Sequence, residues 1–447
     1  MKNLTKLGLW PSVAIVLGCI IGSGIFVKSS DLIAISQNTS YAIFAWVIGG
    51  LIALASGLTL AEVAYRYPKT GGVYIYIECI YGKTLGFIAG WVQSFIFAPT
   101  FFAALNLYFS EIFCSFFNLD SFWKIPVALS CLISLAIINI LGTKYASILQ
   151  DITALTKVIP LAVIGIGGIF FGTYPFWNVT LESATLPSNF FGLLATFSST
   201  ILFTLWAYEG WVNISYVTEE IDRPSINIPL AITIGVLLSM TIYIIFTISM
   251  IKIIGADQFA ALKDKGIMLA ATTLIGPIFA KLITPGILAS IYGTINGQTM
   301  TTTRITYAMA NSDVFPLKNK FASLHPKFMT PAFSIMVNTL LASIMICFSN
   351  PSKISDISIT VIYMIYGMVF LGIFKVRKLF GVPGKENYKI PLYPLTPILV
   401  ILGCVLICYS IIKEHPTDLF IALLLSLAGM PVYLFLKYKN KTGNSTK

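Results

Sequence analysis

Apolar runs long enough to cross a lipid bilayer follow one another along almost the whole chain. A spanning helix needs about 20 mostly apolar residues, and about twelve runs meet this measure. The connections between them are short, which leaves no room for a separate soluble domain. The runs cover residues 10–36, 41–66, 84–115, 124–142, 145–172, 192–217, 227–251, 274–305, 331–349, 354–375, 394–412 and 417–437. The sequence therefore predicts an all-α integral membrane protein with about twelve transmembrane helices.

The composition agrees with this prediction. Hydrophobic residues make up 57% of the 447 residues and charged residues only 11%, whereas soluble domains carry roughly 25% charged residues. The formal net charge of +11 is spread singly or in short groups between the apolar runs, which favours a lipid bilayer over nucleic acid as the partner. The seven cysteines show no CxxC spacing and both histidines precede a proline, so we expect no metal site and no cofactor.

The basic residues indicate the orientation in the membrane. Most of the 29 Lys and Arg residues fall in the stretches on the same side as the N terminus. The outer stretches, among which Lys28 is counted, hold far fewer. The positive-inside rule then predicts a multi-pass protein of the cell (inner) membrane with both termini in the cytoplasm.

The sequence Gly22-Ser23-Gly24 interrupts the first apolar run. Glycine costs about 1 kcal/mol relative to alanine inside a helix, so two glycines around a serine indicate a break. The N–H groups at the start of the outer half-helix, with its positive dipole end, would bind a carboxylate. The carbonyl groups from Cys19 to Ile21 would bind an ammonium. The alternative is close helix packing alone, because Gly18 and Gly22 are spaced for it.

Lys157 lies unusually deep in the fifth run. It follows Tyr145 by about 18 Å along a helix, in a hydrocarbon layer about 30 Å thick. We expect Lys157 to face the bundle interior and to donate to Gly18 or its neighbours on the broken helix, with Ser290 and Thr294 as candidate partners. A purely structural cation that ties helices together is the alternative, and it does not exclude a functional role.

The sixth run contains Trp206 and Glu209. Trp206 is either a gate over a bound solute or an ordinary core aromatic. Glu209 is protonated, paired or open to water at this depth. It could carry a proton, select a cationic side chain, or cap the outer half of a broken helix at its positive end, and we expect the cap first. Near the inner surface, Glu62 and Arg66 are spaced for an i,i+4 ion pair.

The first and sixth runs occupy equivalent positions if runs 1–5 and 6–10 are two copies of one unit. An odd number of segments in each copy gives the copies opposite topology, and interrupted segments at matching places mark the binding site of a transporter. We therefore interpret 1–447 as a single transmembrane transporter domain. It divides into a first repeat 1–174, a second inverted repeat 190–378 and two extra helices within 390–437.

Four stretches of the sequence carry a resemblance to a known family. They are "GCIIGSGIFVKS" in the first run, "LQDITALTKVIPL" (149–161), "LWAYEGWVNISYVTEEIDRPSINIPLAI" (205–232) and "ASIYGTINGQTMTTTRITYAMA" (289–310). These stretches resemble the amino acid–polyamine–organocation superfamily, and within it the L-type amino acid transporter branch. The 205–232 stretch is the most specific, and the likeness covers nearly the whole chain.

The resemblance implies a LeuT-type 5+5 inverted repeat with two additional C-terminal helices. It also implies a sodium-independent exchanger of neutral L-amino acids that works by alternating access. A fifth-helix lysine of the branch, which Lys157 matches, takes the place of an ion in related sodium symporters. The expected substrate-binding residues are Cys19, Ile20, Ile21, Gly22, Ser23, Gly24, Ile25, Phe203, Trp206, Ala207 and Glu209. The expected coupling or structural residues are Gly18, Lys157, Ser290 and Thr294.

The resemblance also bears on whether the protein needs a partner subunit. Eukaryotic members of the branch pair with a glycoprotein through a cysteine between helices three and four. That loop is short here and Cys114 lies near a helix end, so we expect a bacterial member without an obligate partner subunit.

The alternative functions are a proton-coupled amino acid symporter and a cationic amino acid or polyamine transporter. Many L-type members have glycine in place of Glu209, which leaves the pocket chemistry at this position open. An enzyme is disfavoured because no catalytic set of side chains is visible at depth.

Overall fold

The computed structural model describes residues 6–22, 24–67, 71–185, 187, 189–262, 264–311, 315–348, 350–384, 387–414 and 416–444. Within these residues the fold consists of helices and connecting loops, as the sequence predicts. The α-helices are α1 (Leu9–Ile20), α2 (Gly24–Ser36), α3 (Thr39–Arg66), α4 (Val73–Tyr81), α5 (Lys83–Val92), α6 (Ala98–Phe117), α7 (Lys124–Ile140), α8 (Thr143–Thr156), α9 (Val158–Phe171), α10 (Phe190–Tyr208), α11 (Pro224–Ile254), α12 (Ala256–Leu262), α13 (Asp264–Ala280), α14 (Ile283–Ala310), α15 (Lys318–Phe321), α16 (Ala332–Phe348), α17 (Pro351–Phe380), α18 (Leu395–Glu414), α19 (Pro416–Leu427) and α20 (Gly429–Asn444). A π segment (Gln93–Phe97) joins α5 to α6, and 3-10 segments cover Ser121–Trp123 and Trp211–Glu220.

The number of candidate membrane spans agrees with the sequence. In the described part of the chain, nine helical segments are long and apolar enough to span a bilayer, and two bent helix pairs raise the number to eleven. The shorter apolar helix α16 has 17 residues and accounts for the remaining predicted run. The outer surface of the bundle is apolar, with Phe170 76% and Phe348 85% exposed, as expected for side chains that face acyl chains.

The eighth predicted run, 274–305, is not one straight helix. Lys265–Ala280 and Ile283–Ala310 meet at 99°, so the first residues of the run belong to α13 and the rest to α14. A further kink occurs at Gly276, where φ is +79° and Pro277 follows. Hydropathy did not locate the bend because both arms are apolar.

Asparagine side chains begin three of the helices. Asn38 accepts from the Ser40 N–H at 2.9 Å before α3. Asn189 accepts from Gly192 at 2.6 Å before α10, and Asn350 begins α17 in the same way. Each amide oxygen satisfies one of the N–H groups that have no partner within their own helix.

The elements that carry the two chain breaks lie inside the bundle. α10 packs against α2 and α3, and α1 packs against α11 and the 3-10 segment after α10. α11 also packs against α3 and α9, while α14 packs against α6 and α8. The breaks are therefore surrounded by protein rather than lipid. The division into two inverted repeats stays a prediction.

A buried ion pair joins α3 to the end of α17. Glu62 accepts from Arg377 Nε at 2.8 Å and Nη2 at 2.6 Å, and from the Ile390 N–H at 2.7 Å. The expected pair of Glu62 with Arg66 is wrong, because Arg66 donates to the Gly381 carbonyl instead. The guanidinium of Arg377 binds both carboxylate oxygens of Glu62 in a bidentate manner. Arg66, one turn away on the same helix, is less well placed to do so.

Replacing Glu62 with alanine should destabilise the protein strongly. The change leaves the Arg377 guanidinium, 10% exposed, without its carboxylate, and breaking a buried pair in this way costs about 3–5 kcal/mol. The free energy of unfolding can be measured by titrating the detergent-purified protein with denaturant. The matched control is Glu220→Ala, which breaks an exposed pair with Arg304 and should cost at most about 1 kcal/mol. Equal losses in the two variants would contradict the structural role of Glu62.

Candidate functional site

The first break separates α1 from α2. α1 ends at Ile20 and α2 begins at Gly24. Ile21 between them is extended, with φ −75° and ψ 96°. Ser23, which the sequence analysis assigns to the site, lies outside the described residues. The helical interruption falls where the two glycines predict it.

The second break follows α10. Helical geometry ends at Tyr208, and Glu209 is extended with φ −61° and ψ 135°. Gly210 has φ +133° and ψ −18°, a conformation that residues with a Cβ rarely adopt. The 3-10 segment then starts at Trp211. The sixth predicted run, 192–217, is therefore interrupted at Glu209 and Gly210.

The two breaks touch each other through their main chains. A Cβ on Gly210 would lie 2.6 Å from the carbonyl carbon and oxygen of Cys19. A Cβ on Gly24 would lie 2.6 Å from the Cα of Ala207. Such distances exclude any side chain, so both glycines are needed for the approach of α1 and α2 to the end of α10.

Tyr243 on α11 holds the same two breaks together. Its hydroxyl lies 2.9 Å from the carbonyl oxygen of Ile20 and 2.9 Å from that of Ala207. The ring is fully buried and packs 5.1 Å from the ring of Trp46. Sequence reasoning missed Tyr243, because a tyrosine within an apolar helix carries no signal of the carbonyl groups that it will meet.

Lys157 lies at the junction of α8 and α9 and is 4% exposed. Its ammonium donates to the carbonyl oxygens of Gly18 and Ile21, both at 2.9 Å. These oxygens belong to the end of α1, which is the negative end of the helix dipole. The geometry is the one expected from the sequence, with the positive charge turned toward the broken helix and away from lipid.

Ser290 and Thr294 contact the site differently from the expectation. Thr294 Oγ1 donates to the Ser290 carbonyl at 3.0 Å and lies 3.5 Å from the Ile21 oxygen. A Cβ on Gly22 would be 2.6 Å from the same Oγ1. Among the described residues, Ser290 Oγ has no hydrogen-bond partner, and Lys157 donates to the two main-chain oxygens instead. Thr294 thus packs against the break, and the expected bonds from Lys157 to these hydroxyls are wrong.

The carbonyl groups at the end of α1 are already engaged by protein donors. Ile21 accepts from Lys157, and Ile20 accepts from Tyr243. A second ammonium on the Ile21 oxygen would lie beside the Lys157 charge and be repelled by it. The geometry therefore disfavours Ile21 as a ligand of a substrate ammonium. A carbonyl oxygen has two lone pairs, so the Ile20 oxygen can accept a second donor.

Aromatic rings lie next to the cradle formed by the two breaks. Trp206 is 5% exposed, and its ring centroid lies 4.9 Å from that of Phe101. Phe203 is half-buried one helical turn earlier. Lys28, which the charge distribution assigned to an outer stretch, is instead fully buried in α2 and points at Phe203. Both roles of Trp206, gate and core aromatic, agree with this packing.

Glu209 is buried and faces α17. Tyr366 donates its hydroxyl to Glu209 Oε1 at 2.8 Å, and Oε2 has no partner among the described residues. The capping interpretation is wrong. Glu209 follows the last residue of α10 and so lies at the negative end of that helix, and the next segment has Gly210 as its N-cap without a side-chain bond.

The remaining predicted site residues lie in the same region. Cys19 and Ala207 are buried beside the two glycines described above, and Ile25 is fully buried in the first turn of α2. The N–H groups of this first turn have no partner within the helix and suit a carboxylate. The negative end of α10 and the Glu209 carboxyl suit an ammonium.

Within the part of the chain that the structure describes, no group of three or more His, Cys, Asp or Glu residues could hold a metal ion.

Comparison with known proteins gives a consistent result. The family model described as "Amino acid permease" matches residues 7–431. The "Serine/threonine exchanger SteT" of Bacillus subtilis (strain 168) is 37% identical over 432 residues, which cover 97% of each chain.

Two mammalian relatives match over similar lengths. The "Large neutral amino acids transporter small subunit 2" of Oryctolagus cuniculus is 29% identical over 96% of this chain and 79% of its own length. The "b(0,+)-type amino acid transporter 1" of Homo sapiens is 28% identical over 97% of this chain and 88% of its own. The resemblance inferred from the sequence motifs is thereby confirmed.

Replacing Gly210 with alanine should abolish amino acid binding. The new Cβ would clash with the Cys19 main chain, so the two breaks could no longer approach. Binding can be measured as the rise in melting temperature of the purified protein on adding an amino acid. The control is Gly8→Ala, because a Cβ at Gly8 meets nothing within 4 Å and should leave the rise unchanged. Normal binding by the Gly210 variant would show that the contact is dispensable.

Proposed function

Because this chain belongs to the amino acid permease family, we propose that it is an amino acid exchanger that works by alternating access. The observation that carries the proposal is the contact of the two helix breaks, Gly210 against Cys19. It leaves the positive end of α2 and the negative end of α10 side by side. These opposite partial charges complement the carboxylate and ammonium that every amino acid carries.

The substrate class that we propose is neutral L-amino acids. The main-chain ends can bind the groups that amino acids share, while the adjoining Trp206 and Phe203 rings offer apolar area to an uncharged side chain. The bacterial relative is named for serine and threonine, so these two amino acids are the first to test. The bound carboxylate is assigned to Gly22, Ser23 and Gly24 at the start of α2.

Sodium independence is proposed from the position of Lys157. Its ammonium occupies the oxygens of Gly18 and Ile21, which are the ligand type that Na⁺ would need. A fixed positive charge at that place repels a second cation. Lys157 then supplies permanently the charge that a coupling ion would supply transiently.

Exchange is tested with proteoliposomes that contain unlabelled serine and receive labelled serine outside. Accumulation of label should require internal substrate and should be unchanged when sodium is replaced by choline. Label that enters empty vesicles equally fast, without saturation, would indicate a channel. A requirement for sodium would contradict the role proposed for Lys157.

Replacing Lys157 with methionine should lower the exchange rate by at least about tenfold, because hydrogen bonds to charged groups contribute about 1.5–3 kcal/mol each. The Gly18 and Ile21 carbonyl groups would lose their donor, and the first break would lose its geometry. Lys281→Met removes an exposed lysine and serves as the control, with an unchanged rate. A Lys157 variant that exchanges normally would exclude the role.

A second candidate function is proton-coupled symport, or transport of cationic amino acids, through Glu209. One observation favours it: the carboxyl group is buried with a single donor, Tyr366, and its second oxygen is unpartnered among the described residues. Such an oxygen can take a proton or a substrate ammonium.

The variant Glu209→Gln distinguishes these possibilities. Under the exchanger proposal its serine exchange should have the same pH profile as the unchanged protein between pH 5 and 8. A proton-coupled protein would lose its pH dependence on this change. A selector of cations would lose competition by external lysine and arginine while it retains serine exchange.

The chain is a multi-pass membrane protein. We propose that it resides in the cell membrane, with both termini in the cytoplasm, because the basic residues favour that orientation. The family and its relatives are named for transport, and we propose a transporter without catalytic activity. We further propose that it functions without an obligate partner subunit, as the short loop between the third and fourth spans indicates.

A further inference from the structure

Lys28 is a buried cation that the exchange mechanism described above does not use. It lies in α2, one helical turn after Gly24, and its side chain is 0% exposed. Its depth among apolar helices requires partners for the ammonium, because an unpaired charge is strongly unfavourable there. The partners come from three other helices, and they identify the role of Lys28.

Aromatic rings surround the ammonium on one side. Lys28 Nζ lies 4.3 Å from the ring centroid of Phe203 on α10. The ring of Tyr108 on α6 is at 5.6 Å and that of Trp206 on α10 at 6.0 Å. Cations within about 6 Å of an aromatic centroid are attracted to the ring, and the attraction is stronger when water is excluded.

The other side of the ammonium is bonded to α17. Lys28 Nζ donates to Ser355 Oγ at 3.1 Å, and the Tyr108 hydroxyl lies 3.5 Å from the same oxygen. The carboxylates of Asp31 and Asp356 also interact electrostatically with Lys28. One side chain thus connects α2 to α6, α10 and α17.

The Lys28 contacts lie beside a cavity that opens to the surface. A cavity of about 500 Å³ opens on the side of the molecule to which α2 leads, between α2, α6 and the start of α17. Tyr108 and Phe203 line it. The same two rings hold Lys28, and the buried residues Gly24 and Trp206 lie beyond them. The Lys28 contacts therefore lie between this cavity and the cradle.

We propose that Lys28 is the gating residue between this cavity and the cradle, an outer latch formed with Tyr108, Phe203 and Ser355. The inference rests on the proposed function for its meaning in a transport cycle. With the latch closed, α2 is tied to α10 and α17 over the cradle. When the latch opens, α2 and the start of α17 move apart and the cavity extends to the cradle.

The latch is tested by the distance between the outer ends of α2 and α17. Spin labels are placed at Ala34→Cys and Ser352→Cys, both in the cavity wall, after the exposed Cys79 and Cys347 are replaced by serine. Distance distributions are recorded by pulsed electron paramagnetic resonance on the full chain in liposomes without substrate. The labelled protein without a change in the latch residues should give mainly short distances between the labels at positions 34 and 352.

Lys28→Met should raise the ratio of long to short distances by on the order of tenfold, because it keeps the length of the side chain and removes the cation–π and hydrogen-bond contacts. Lys28→Arg keeps a cation that can stack on Phe203 and should stay near the unchanged protein. Lys281→Met, an exposed lysine in another cavity, controls for the loss of one positive charge and should have no effect.

A second variant keeps the proposal testable if Lys28→Met does not fold. Phe203→Leu retains the lysine and removes the nearest ring, and it should shift the distances in the same direction. Identical distance distributions in the unchanged protein and in whichever of these variants folds would overturn the latch. The measurement needs no transport, so absence of exchange with every neutral amino acid tested would refute the proposed function without affecting this test.

Discussion

The broken first segment depends on the ammonium of Lys157. A helix that ends inside a membrane leaves carbonyl groups without partners, and each costs several kcal/mol in hydrocarbon. Lys157 donates to two of them, on Gly18 and Ile21, and the same oxygens compensate its own burial. Neither the break nor the buried lysine is favourable without the other. Lys157 itself lies where α8 ends and α9 begins, three residues before Pro160, which has no helical N–H donor.

The second break packs against the first. Gly210, which has no Cβ, lies against the main-chain carbonyl group of Cys19 in the last turn of α1. The single hydroxyl of Tyr243 then lies 2.9 Å from a carbonyl oxygen of each broken segment and shares its hydrogen between them, so α11 holds the two segments together. This arrangement explains why we assign the binding of the substrate to main-chain groups. A membrane interior tolerates irregular backbone only where neighbouring protein satisfies its polar groups.

The sequence predicted those features of the fold and site that have a local cause. Glycines in an apolar run indicated the break at Gly22, and the depth of Lys157 in the fifth run indicated that its ammonium faces the broken helix. Contacts between distant segments had no such signal. The pairing of Glu62 with Arg377 spans 315 positions. The count of basic residues on the two sides of the membrane placed Lys28 in an outer stretch, although it is buried in α2. These positions depend on how the helices pack, which periodicity and composition do not encode.

The two buried lysines differ in what holds them, and this difference separates the rigid from the movable part of the site. Lys157 bonds to main-chain oxygens at a helix end, which cannot move without unfolding that end. Lys28 contacts side chains on α6, α10 and α17, which can separate as helices shift while each helix stays intact. A hydrogen bond to a serine and attraction to aromatic rings are each weak enough to break within a transport cycle. The cradle is therefore built from fixed main-chain contacts, and access to it is controlled by side-chain contacts.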